Sequence, residues 1–156
     1  MRRRFRKSFQ RALEFAVLAL MVALAVVVVL GVVFRRLGAA LVWYDEVASI
    51  LLAWLTYYGA AYAALKRGHI GFGTVVQRFP TSVRRVTNVV SEVVVIGFFA
   101  LAAYAGWRVV QVLSGTTMVS LPWMPMTVTQ SVIPIGAVLF IVAELLSMRQ
   151  RDWAES

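Results

Sequence analysis

Residues 47–65, VASILLAWLTYYGAAYAAL, contain neither a charge nor a proline, and this run limits the chain more than any other feature. At 1.5 Å rise per residue, a helix of that length crosses a hydrocarbon layer of about 30 Å. Lipid offers no hydrogen bonds to an open backbone, so the segment reads as a membrane-spanning helix.

Three further apolar runs, with four charges and one proline among them, join it to give expected spans at residues 12–34, 42–65, 86–113 and 128–148. With 61% hydrophobic and 15% charged residues, the chain falls in the membrane class and not among soluble domains. It reads as one membrane domain over residues 1–156, an all-α integral membrane protein of four transmembrane helices. The excess of 16 Lys and Arg over 7 acidic residues could point to nucleic acid. Those cations sit in short blocks between apolar runs, however, so topology explains them and no nucleic-acid partner is expected.

Six Lys or Arg lie in the N-terminal segment up to Arg11, five in the loop 66–85 and two in the tail, whereas only Arg35 and Arg36 lie on the other side. The positive-inside rule then places both termini and the middle loop in the cytoplasm. The first apolar run is too long for a signal peptide and is followed directly by Arg35-Arg36, so it reads as a retained span. Residues 2–11 are mostly basic, but Phe5, Phe9 and Leu13 recur every four residues. This segment is either an amphipathic helix on the inner membrane surface or a basic tail that orients the chain.

Without cysteine there is no thiol nucleophile, disulfide or Cys-ligated zinc. His69, the single histidine, has no Cys or carboxylate neighbours in sequence that would make a metal site or a triad. It reads as a loop anchor or partner contact. No pairing of nucleophile, acid and base stands out, so no catalytic residue and no enzyme activity are expected.

Ionisable residues in or beside spans are the functional candidates, because charge in lipid is costly. Asp45 and Glu46 open the second span within reach of Arg35 and Arg36, with Arg108 a further candidate partner, and are expected to form an interfacial ion cluster that closes the first hairpin. Glu14, Glu92 and Glu144 lie toward the opposite ends of their spans. Glu92 is the deepest, about 10 Å in from Arg85 at 1.5 Å per residue. Convergence of these glutamates would make a small autonomous proton- or ion-coupled transporter; pairing between helices is the plainer reading.

Packing signals are clearer. Gly59-x-x-x-Ala63, Ala60-x-x-x-Ala64 and Ala102-x-x-x-Gly106 offer small faces for close helix contact. Trp54, Tyr58 and Tyr62 recur every four residues at mid-membrane depth, and their polar tips favour a protein-facing position, in this chain or against a second one.

The ordered set Glu46, Trp54, Gly59-Ala60-Ala61 and Arg67-Gly68-His69-Ile70, followed by Pro80, a proline-containing outer loop and Pro134-Ile135-Gly136, resembles the small membrane subunit of tripartite ATP-independent periplasmic (TRAP) transporters, the DctQ-like proteins. Relatives often continue His-Ile with one residue and then Val-Asp, whereas Gly71-Phe72-Gly73 follows here. No role of that acid therefore carries over. The resemblance implies a multi-pass protein of the bacterial inner membrane that scaffolds a large permease subunit. That partner would carry the coupling sodium and the substrate, an organic acid delivered by a periplasmic binding protein. No cofactor is implied for this chain, and its expected partner-interface residues are Glu46, Trp54, Tyr58, Gly59, Arg67 and His69.

Overall fold

A computed structural model describes residues 2–66 and 81–148. Helix α1 runs Arg2–Arg36, α2 Tyr44–Leu65, α3 Thr81–Val112, α4 Met126–Gln130 and α5 Val132–Met148. Four helical segments are long and apolar enough to cross a membrane: Arg6–Arg36, Tyr44–Leu65, Val89–Val112 and Met126–Ser147, the last including the break between α4 and α5.

The first helix is longer than the span expected at residues 12–34. It is one continuous helix from Arg2 to Arg36, so the N-terminal segment is helical, as the first of its two readings had it, and runs directly into the span. The reason is packing: Leu13 is buried, Phe9 lies against the same core, and Arg6 Nη2 donates to the Leu65 carbonyl at 3.2 Å. A cation thus meets the unsatisfied C-terminal end of α2, which the helix dipole favours. At its own end α1 closes with a Schellman turn, in which Gly38 N–H bonds to the Arg35 carbonyl and Ala39 N–H to that of Phe34. Gly38 sits at φ +79°, a conformation that glycine adopts without a Cβ clash.

The spans pack in a row: α1 on α2, α2 on α5, and α5 on α3. One glycine serves each of these three contacts. Gly31 of α1 receives the Tyr44 ring, a Cβ on Gly136 of α5 would lie 2.5 Å from Tyr57 Cβ, and one on Gly106 of α3 would lie 2.7 Å from Ile133 Cγ2. Lipid tails are as apolar as leucine, so close approach and dispersion hold such contacts in place of a hydrophobic driving force. Leu13, Ala61, Ala64, Leu65, Phe140 and Ala143 form the buried core, extended by a Phe99–Phe140 stack with centroids 3.7 Å apart. Outward-facing Val22, Val94, Phe98, Leu101 and Val138 are more than half exposed, as lipid-facing side chains are.

Candidate partner interface

Helix α2 is one of the two inner helices of the row and carries four of the six expected interface residues, Glu46, Trp54, Tyr58 and Gly59. Its first turn carries Asp45 and Glu46, whose negative charge complements the helix N-terminus. Glu46 Oε2 accepts from the Ser120 backbone N–H at 3.1 Å and also from the Ser120 hydroxyl. It therefore ties down the connection between α3 and α4. That connection folds back on itself: Met118 N–H bonds to the Met124 carbonyl, Met126 N–H to that of Thr116, and a bridge pairs Thr117 with Pro125.

The expected ion cluster is not formed. Arg35, Arg36, Asp45 and Arg108 are exposed, and among the described residues Glu46 binds Ser120 in place of an arginine. Charges at helix ends reach water at little cost, which removes the drive to pair them. An open cleft of about 280 Å³ lies beside this end of α2, lined by Asp45, Glu46, Ser49, Met118 and Thr129 among others.

The aromatic stripe faces protein, and the protein is this chain. Trp54 Nε1 donates to the Thr129 carbonyl at 3.3 Å, Trp54 and Tyr58 lie with ring centroids 6.0 Å apart, and Tyr58 and Tyr62 pack on the core. The bond to Thr129 has a local cause. The helix stops at Gln130 and starts again at Val132, and the indole supplies a donor to the Thr129 carbonyl at this break; the carbonyl that Pro134, lacking an N–H, cannot serve is the neighbouring one of Gln130. Gly59 differs from Trp54 and Tyr58: nothing lies within 4 Å of where its Cβ would be.

At the other end, Lys66 Nζ stands 4.9 Å from the Tyr62 ring centroid. The Tyr62 hydroxyl, and more weakly the Glu14 carboxylate, push the Lys66 pKa up, so it remains a cation. Glu14 is half-buried on α1, Glu92 half-buried on α3, and Glu144 buried on α5 beside Ala143. Among the described residues no three His, Cys, Asp or Glu side chains gather so as to hold a metal ion. Arg67 and His69 lie outside the described residues.

Sequence reasoning missed Ser120 and Thr129 as the partners of Glu46 and Trp54. In both pairs a backbone group takes part, and no residue type signals that. It also missed Arg6 at the end of α2, although a cation near a helix C-terminus is a signal that could have found it.

Four apolar helices joined by glycine contacts, with a strapped loop at one end, define a multi-pass helical membrane protein. The family model for the DctQ component of tripartite ATP-independent periplasmic transporters matches residues 24–152, and the chain belongs to that family. This is a family of transporter components and not of enzymes. A comparison with curated proteins finds no match.

Proposed function

We propose that this chain is the small permease subunit of a TRAP-type secondary transporter and scaffolds the large membrane subunit. In this reading it lies in the bacterial inner membrane with both termini and the 66–85 loop in the cytoplasm. The large subunit binds the coupling sodium and the substrate, an organic acid that a periplasmic binding protein delivers. This chain itself holds no cofactor and catalyses no reaction.

The observation that carries the proposal is the family match over residues 24–152, joined to the row arrangement of the spans. A conduit needs helices on all sides to shield a polar solute from lipid, and a row encloses no such axis. A row suits a wall against which another protein moves.

The test is uptake into proteoliposomes under a sodium gradient, with the binding protein and its organic acid outside. Vesicles holding this chain together with the large subunit should accumulate solute, and vesicles holding this chain alone should not. Uptake by the single chain that is lost in Glu92→Gln would instead establish the autonomous transporter.

A further inference from the structure

One face of α2 is exposed from Asp45 to Thr56, and no described residue lies over its continuation at Gly59. At 100° per residue, Asp45, Ser49, Leu52, Thr56, Gly59 and Ala63 fall within about 40° of a common line. Tyr57, Trp54, Ala61 and Leu65, which meet the rest of the chain, fall on the opposite side. Asp45, Ser49, Leu52 and Thr56 are exposed, and the space over Gly59 is open among the described residues.

This face does not have the composition of a lipid contact. The exposed surface of α3 carries large apolar side chains, Val93, Val94, Phe98 and Leu101, with smaller residues Gly97, Ala100 and Ala105 between them, and that of α1 includes Phe15, Val22 and Val29. Along the open face of α2 Leu52 is instead the one large apolar side chain, and the face carries two hydroxyls, Ser49 and Thr56, at membrane depth. The Ser49 and Thr56 hydroxyls each donate to the carbonyl four residues earlier, at 2.8 Å. Those bonds use the proton and leave an oxygen lone pair facing outward, which a donor on a neighbouring helix can meet.

Asp45, exposed, lies at one end of this face; near the other end Lys66, exposed, stands about 60° from its line with Nζ over the Tyr62 ring. This decides the occupant. A second copy inserted with the same orientation would set Asp45 against Asp45 and Lys66 against Lys66 in a two-fold contact, and like charges oppose it. An opposite pattern on a different chain would satisfy both ends.

We infer that this face of α2 is the seat for one transmembrane helix of the large permease subunit, a helix that presents a cation opposite Asp45, a hydroxyl, amide or indole donor at the depth of Thr56, and an acidic group or carbonyl near Lys66. The inference rests on the proposed function and adds to it the contact surface. Gly59 provides the close approach, and Trp54 and Tyr58, engaged inside this chain, stand behind the seat.

The chain has no cysteine, so single cysteines can be placed without background. Leu52→Cys, Gly59→Cys, and Val94→Cys and Val138→Cys on other exposed surfaces would each be labelled with a benzophenone maleimide in the co-expressed, co-purified complex and illuminated. Positions 52 and 59 should give an adduct with the large subunit at least tenfold more than positions 94 and 138. A complex that purifies intact but cross-links only through 94 or 138, or whose α2 positions yield only lipid adducts or a dimer of this chain, overturns the inference and leaves the proposed function standing. Failure of the wild-type chain to co-purify with the large subunit overturns both. Gly59→Leu gives a second reading. Since no described atom would meet the new side chain, its melting temperature alone should be unchanged, while recovery of the large subunit falls at least tenfold; recovery at the wild-type level counts against the seat.

Discussion

At the residue scale, Gly97 and Gly106 show how little a residue type says without its surroundings. Both lie on α3. A Cβ on Gly97 meets nothing within 4 Å, whereas one on Gly106 would lie 2.7 Å from Ile133 Cγ2 and 2.9 Å from Pro134 Cδ. Neither atom is the free end of a flexible chain, so the helices must separate to admit a side chain. Gly106→Leu should destabilise the protein by about 1–3 kcal/mol, the usual cost of overpacking. Gly97→Leu should be neutral or mildly stabilising, because leucine favours a helix more than glycine does. Thermal unfolding of the two variants in detergent, monitored by circular dichroism, checks the contrast; equal losses would mean that α3 does not meet α5 through Gly106.

At the element scale, α2 is held by hydrogen bonds at three levels: two from Ser120 to Glu46, one from Trp54 to Thr129, and one from Arg6 to Leu65. The middle bond can be isolated. Trp54→Phe keeps a ring for packing and removes the indole N–H, leaving the Thr129 carbonyl at the break without that donor. A loss of about 0.5–1.5 kcal/mol is expected, as for one neutral hydrogen bond, and at the lower end if the membrane environment allows another donor. Thermal unfolding of Trp54→Phe measures it. These bonds also mark where the sequence stopped being legible. The helices were readable because lipid leaves an apolar backbone little else to become, whereas the break at Ser131 inside the fourth span was not read. That Trp54 and Tyr58 face protein followed from their polar tips. Which protein did not follow, because Thr129 is 75 positions from Trp54 and accepts through its backbone. For Glu46 the sequence favoured the nearby Arg35 and Arg36, but those side chains are exposed and Ser120 is the partner.

At the scale of the whole molecule, the bonds at the two ends of α2 make orientation a single choice. Arg6 meets Leu65 at one end, which places the start of α1 beside the end of α2. Glu46 meets Ser120 at the other, which places the α3–α4 connection beside the start of α2. The four spans therefore cross together, and fixing the side of one end fixes them all. The charge count makes that choice: thirteen Lys and Arg flank the Leu65 end against Arg35 and Arg36 at the Glu46 end, with Arg108 near the end of its span. Holding cations on the cytoplasmic side is the established bias, so the Glu46 end should face the periplasm. Two single cysteines test this in a chain that otherwise has none. Ala39→Cys is exposed in the turn after α1, and Lys66→Cys is exposed at the end of α2. A membrane-impermeant maleimide added to intact spheroplasts should label position 39 and leave position 66 unlabelled until the membrane is permeabilised. The reverse pattern would invert the molecule, and it would put the cleft beside Glu46, together with Trp123 and Val119 of the strapped loop, on the side where no periplasmic protein could reach them.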